Sequence, residues 1–286
     1  MKFRFVNEQR SAFPAEKMCQ ILKVSRSGFY AWGKRGKSER QMKNEELVNK
    51  IGEIFTKSRE LYGSPRMYAE LKARGYQCSK NRIERLMRGK FIAKTRRKFK
   101  ITTHSKHNLP VAPDLLRQNF VSGTANAVWT SDITYIRTNE GWLYLSIILD
   151  TYSRKIVGWS MNERLTGDLV TKAINNAVIR RKPNGRLIFH SDQGVQYACF
   201  ETRKLLERNG FIQSMSRKGR CYDNAITETF FHSLKTEHIY FNSYKTRDEA
   251  RQSIFDYIEM FYNRERRHSS IGYMSPDQFE KMAVPA

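Results

Sequence analysis

The sequence predicts an α/β domain preceded by an all-α, strongly basic region, and three observations predict it. Charge is divided unevenly: residues 1–125 hold 29 Lys+Arg and 10 Asp+Glu, a net of +19, whereas residues 126–286 hold 23 and 18, a net of +5. In the first part, apolar residues recur at helical spacing. In the second, runs rich in β-branched and aromatic residues alternate with amphipathic helical segments. A length of 286 residues favours two domains or one large domain with appendages, and 17 Phe with 14 Tyr supply a core that no disordered chain would carry.

Taken in order, residues 14–32 place Met18, Ile21, Leu22 and Val24 on a short apolar helix face, with Ser25 as the N-cap of a helix carrying Phe29, Tyr30 and Trp32. Leu47, Ile51, Ile54 and Phe55 mark a further helix, ended by Tyr62-Gly63-Ser64-Pro65. Ser64 is the expected cap and Pro65 the first residue of the next helix, which carries Met67 and Leu71 and stops at Gly75. Ser79 then caps a helix with Ile83 and Leu86 inward and Lys80, Arg82, Arg85 and Arg88 outward. Two short helices with a basic second member form a helix-turn-helix pattern, and these four cations are its candidate DNA contacts. Eight basic residues and no acid between Arg88 and Lys106, followed by Pro110 and Pro113, read as an extended, self-repelling linker. The expected division is 1–87 for the helical region, 88–125 for the linker and 126–286 for the α/β domain, which should fold by itself.

Within that domain, Val128 to Ile136, Leu143 to Leu149 and Ile156 to Met161 are predicted strands forming an antiparallel meander. Gly167 to Arg181 is an amphipathic helix, Leu187 to His190 a short buried strand, and Phe200 to Arg208 another helix. Helices over roughly 223–239 and 246–263 close the chain. The pattern is that of a mixed sheet flanked by helices.

Composition narrows the function. A formal charge of +24 points to a polyanionic partner, and nucleic acid fits it best. Cys19, Cys78, Cys199 and Cys221 are scattered without a C-x-x-C pair, which argues against a disulfide framework or zinc knuckle and fits a reducing cytoplasm. No apolar run is long enough for a membrane span.

Three carboxylates stand out. Asp132 interrupts a strand of Trp, Ile, Thr and Tyr, where Asp is disfavoured. Asp192 follows the strand Leu-Ile-Phe-His in His190-Ser191-Asp192-Gln193-Gly194. Glu228 lies in the helix opened by Asp223-Asn224. Each alone reads as an edge residue, a turn former or a solvated helical acid. Together they come from three elements that can converge at one sheet edge, and an oxygen-only carboxylate cluster suits Mg²⁺ with substrate phosphates as further ligands. On the helix, Glu228, His232 and Lys235 fall within about 60° of arc, while Ile226, Phe230 and Leu234 point the other way. Arg217, Lys218 and Arg220 flank Gly219 just before that helix and form a candidate DNA-contacting loop. Asp150, His190 and His268 read as structural groups near the site.

The residues WTSDITYI, LDTYSRKIVGW, HSDQGVQY, SMSRKGRCYDNAITETFFHSLKTE and YNRERRHSSIGYMSP carry a resemblance over nearly the whole chain. The sequence resembles the second-reading-frame product of insertion-sequence transposases, whose core is similar to retroviral integrases. Its intervals match that family's acidic triad: 59 residues separate Asp132 from Asp192, 35 separate Asp192 from Glu228, and Lys235 follows Glu228 by seven. The resemblance implies a ribonuclease-H-like fold and Mg²⁺ or Mn²⁺ held by Asp132, Asp192 and Glu228. It further implies cleavage at element ends with 3′-hydroxyl strand transfer, self-association in a synaptic complex, and location at the bacterial nucleoid. In that family an upstream frame often supplies a further DNA-binding helical segment. Two departures stand: Arg220 occupies a position where the family more often has Asn, and the His/Cys zinc module of retroviral integrases is replaced by the basic helical region. A non-catalytic helix-turn-helix regulator and a simple ribonuclease-H-like nuclease are the alternatives. The triad spacing speaks against the first, and a strand-joining assay separates the second.

Overall fold

In the computed structural model, residues 1–94, 109–217 and 224–283 are described. The chain begins with α1 (Lys2–Gln9), α2 (Ala15–Ile21) and α3 (Arg26–Lys34), which enclose a small cluster of Val6, Met18, Cys19 and Phe29. Ser25 caps α3, its hydroxyl accepting from the Gly28 amide at 2.9 Å. Ile21 does not face inward as its spacing suggests. It ends α2, and the left-handed turn at Lys23 (φ 51°) leaves it 78% exposed.

Next come α4 (Glu39–Lys57), α5 (Ser64–Ala73) and α6 (Lys80–Met87). Ser38 caps α4 and Ser79 caps α6, each accepting from the amide three residues on. At α5 the cap is Gly63 rather than Ser64, and Ser64 joins Pro65 in the first turn. Pro65 brings no amide to be capped there.

The second part is a five-stranded sheet in the order β3-β2-β1-β4-β5. β1 (Val128–Thr138), β2 (Gly141–Asp150) and β3 (Ile156–Asn162) form the antiparallel meander. β4 (Ile188–Ser191) and β5 (Ile212–Met215) add in parallel. One face is covered by α7 (Gly167–Arg181), with α8 (Val195–Ala198) and α9 (Phe200–Arg208), over Trp129, Ile148, Val157 and Phe189. α7 lies so close to β3 that a Cβ at Gly158 would meet the Ala173 carbonyl oxygen at 2.5 Å. The strand therefore needs glycine at this crossing.

The other face receives α10 (Ala225–Glu237), a 3₁₀ turn at Ile239–Phe241, and α11 (Arg247–Phe255), which continues as a π-wound segment through Asp256–Tyr262; α12 (Pro276–Ala283) follows. Here the expected division of the chain meets a continuous core. Leu47, Ile51, Met67 and Ile83 of α4–α6 join Leu145, Ile147, Phe230, Tyr257 and Phe261 in one buried cluster. Polar links run alongside: Tyr62 donates to the Glu265 carbonyl and accepts from the Arg267 amide, both at 3.0 Å, and Arg59 pairs with Asp256 at 2.7 Å. The boundaries at 87 and 125 do not mark a break in packing. The two parts thus share one apolar cluster.

Candidate active site

Side chains alternate across a strand, so Thr130, Asp132, Thr134 and Ile136 share one face of β1, opposite Leu149, Ile147, Leu145 and Leu143 of β2. β4 pairs with β1 only from Val128 to Thr130. Beyond Thr130 the two strands separate. Asp132 lies just past this pairing, and Asp192 just past the end of β4. A crevice at the carboxyl ends of adjacent parallel strands is where α/β sheets place ligands.

Helix α10 brings the third acid. Its first turn is fixed to β1 by buried polar contacts: Asn224 Nδ2 donates to the Ser131 carbonyl at 3.2 Å, and the Thr227 and Thr130 hydroxyls lie 2.8 Å apart. Glu228, the next residue, is partly open to solvent and close enough for its charge to act on Asp132. The Ser131 hydroxyl, on the reverse face, lies 2.9 Å from that of the buried Tyr197.

Electrostatics place the acids together. Burial raises the Asp132 carboxyl well above its ordinary value, the Asp192 charge adds to the rise, and so does Glu228. The Ile133 amide, 2.7 Å from Asp132 Oδ1, and the Lys235 charge oppose it. Burial also raises Glu228 and lowers Lys235, the latter opposed by Asp132. Asp192 Oδ1 accepts from the Gly194 amide at 2.9 Å, and a Cβ at Gly194 would stand 2.9 Å from the same oxygen. Among the described residues no three His, Cys, Asp or Glu side chains already form a metal cage. What fits a cation is the donor set itself: carboxylate oxygens of like charge, which a dication would reconcile.

The chain matches the integrase core domain model over residues 124–221 and again over 228–284, and an HTH-like domain model over 42–99. It is 42% identical over 283 residues to the transposase InsF of insertion sequence IS3A from Escherichia coli (strain K12), covering 98% of both chains. The chain belongs to the integrase-core transposase family. A 31 kDa protein of insertion element IS600 from Shigella sonnei is 44% identical over 92% of this chain and 97% of its own. Among solved structures, a simian T-cell lymphotropic virus intasome covers 82% of this chain and 75% of its own, at 12% identity and a TM-score of 0.48. Integrase-core transposases are polynucleotidyl transferases, and the HTH-like match adds DNA binding. No described helix is long and apolar enough to cross a membrane.

For an integrase-core transposase, the other expected site residues divide into groups. Lys235 joins the acids from α10, half-buried, with its Nζ 5.4 Å from the Tyr135 ring centroid. Arg217 pairs with Asp114 at 3.3 Å, while Lys218 and Arg220 lie outside the described residues. Lys80 and Arg85 are exposed on α6, and Arg88 just past its end; α6 is a different element, packed on α4 and α5. Arg82 is half-buried, its Nε donating to Asn44 Oδ1 at 2.9 Å.

Asp150 is buried against the Asn126 and Tyr152 amides and Arg181, a structural setting. His190 Nδ1 lies 2.9 Å from the Ser214 hydroxyl, which also accepts from the Leu115 amide. Burial and Arg266 hold His268 well below its ordinary value, so it stays neutral. Sequence reasoning missed Asn224 and Thr227 as positioning residues. Their only signal was two small polar residues one and four positions before Glu228.

Proposed function

We propose that this chain is the transposase of an insertion element and cuts and joins DNA at Asp132, Asp192 and Glu228. The supporting observation is that β1, the end of β4 and the first turn of α10 bring three acids to one crevice, where burial first and then the Asp192 and Glu228 charges raise Asp132. Mg²⁺ is the fitting ion for this oxygen donor set, with Mn²⁺ as a substitute in the same geometry. A bound divalent cation supplies Lewis-acid stabilisation of the attacking and leaving oxygens of an in-line displacement. The chain's own residues orient the substrate. Asp132 holds its place within β1 just past the β4 pairing, Asp192 just past the end of β4, Glu228 closes the crevice from α10, and Lys235 takes a DNA phosphate beside them. The exposed cations of α6, with Arg217, Lys218 and Arg220, hold the flanking duplex. Holding two element ends for joining calls for a second copy of the chain.

The test uses DNA carrying the element's ends and a target plasmid. The wild-type chain should join 3′-hydroxyl ends to the target. Asp132→Asn, Asp192→Asn and Glu228→Gln should each lower joining on the order of 10³-fold while duplex binding persists. Near-normal joining by Asp192→Asn would overturn the assignment, and cutting without joining would leave a nuclease.

A further inference from the structure

The hairpin between β1 and β2 carries an aromatic pair that the acidic site does not use. Tyr135 and Trp142 are diagonal neighbours on the face of the hairpin opposite Asp132, with ring centroids 5.0 Å apart at 85°. Trp142 is 46% exposed. A lone exposed tryptophan needs no explanation, but three features set this one apart.

First, the pair is held rigidly. Thr138 Oγ1 donates to the Gly141 carbonyl at 2.8 Å, and the Asn139 amide donates to the Tyr244 carbonyl at 3.0 Å. Arg247 completes the clamp, its amide donating to Glu140 at 2.7 Å and its Nε to the Trp142 carbonyl at 3.3 Å. A backbone pinned this way presents the indole with little entropy left to lose on binding. Second, nearly half of the Trp142 surface stays exposed beside the edge-to-face contact with Tyr135. Third, Lys235 reaches the same place from α10. Its Nζ lies 5.4 Å from the Tyr135 centroid, and Asp132 feels its charge. Lys235 can do so because β4 leaves β1 after Thr130, so that the edge of β1 is open there. Exposed Arg137, opposite Trp142 in the register, adds a second cation.

Aromatic faces interleaved with cations are what binds single-stranded nucleic acid: rings take bases and cations take the backbone. We infer that Trp142, backed by Tyr135, stacks an unpaired base of the DNA strand whose phosphate Lys235 holds beside the acidic site. This rests on the reading of the chain as a DNA transposase. The platform would hold the strand end splayed from its duplex while the adjacent phosphodiester lies at the acids.

The test uses the full chain in excess chelator, so that neither cutting nor joining enters. Two hairpin-capped duplexes are compared, one blunt and one with a short 3′ overhang carrying 2-aminopurine. Wild type should prefer the overhang and quench its fluorescence. Trp142→Ala should lose that quenching and lower the overhang-to-blunt affinity ratio about fivefold or more, leaving blunt-duplex affinity within about twofold. Trp142→Phe, which keeps a stacking face, should retain the ratio within about twofold. Absence of an overhang preference in wild type, an unchanged ratio in Trp142→Ala, or equal damage by Trp142→Phe would each overturn the stacking site. Loss of joining by the chain would leave this chelated binding result untouched, so the two readings fail separately.

Discussion

Glu228 and Glu237 lie nine residues apart on α10, about 180° around the helix, and their surroundings are opposite. Burial would raise Glu237, but the Arg266 guanidinium overrides it, at 2.6–2.7 Å from both oxygens, and holds the carboxyl low. Arg66 of α5 stands 3.4 Å away, and Tyr257 donates to the same carboxylate at 3.0 Å. At the Glu228 end, burial raises Glu228, and Asp132 is raised by burial and by the Asp192 and Glu228 charges. One end of the helix is electrostatically complete. The other gathers acids whose charged forms are disfavoured, a pattern common at functional sites.

The paired end should break hardest. Arg266→Ala leaves Glu237 buried without its main partner, and unfolding in urea should show a loss of about 3–5 kcal/mol. A loss under about 1 kcal/mol would mean that the pair is ornamental. Acid should act at the same end. Burial, with Arg59 nearby, lowers His238 to about 4 from an ordinary 6.5. The unfolded chain therefore takes up a proton between pH 6.5 and 4 that the folded chain refuses, and stability falls as pH drops through that window. His238→Asn should flatten the fall by about 2–3 kcal/mol, read from melting at a series of pH values.

The acidic end should respond in the opposite sense and more weakly. The folded chain holds a proton on Asp132 more tightly than the unfolded chain does, so this contribution is present at low pH and lost as pH rises through the raised value. In chelator at neutral pH, Asp132→Asn should therefore be about 1 kcal/mol more stable than wild type, with the gain vanishing in acid. A destabilised Asp132→Asn chain would contradict the repulsion.

Much of this architecture was legible in the sequence. α7 and α9 run over the expected 167–181 and 200–208 because a long apolar stripe and clear ends define them. The short elements were not legible. α1, α8 and β5 have too few residues for a period, and neighbours stabilise them, as Phe3 on Phe29 and Trp32 does for α1. Ile51 and Met67 announced helices, but apolar spacing says that a face is buried and not against what. The shared core with Tyr257 and Phe261 was therefore missed. The acids themselves became visible through their spacing and family resemblance, whereas the Thr227–Thr130 contact that orients Glu228 exists only in three dimensions. The same holds for Arg266 and Arg267, conspicuous in the sequence as charges but used as ties to Glu237 and Glu70.

The central contrast, a satisfied acid at one end of α10 and a cation-seeking cluster at the other, is tested most directly by metal-induced stabilisation. The full chain is melted with and without Mn²⁺ at neutral pH, as wild type and as Asp132→Asn. Binding to the folded state alone adds about 2.7 kcal/mol at a hundredfold excess over Kd, so the wild-type melting temperature should rise with Mn²⁺ and that of Asp132→Asn should not. An equal rise in both chains, or none in wild type, would contradict the account.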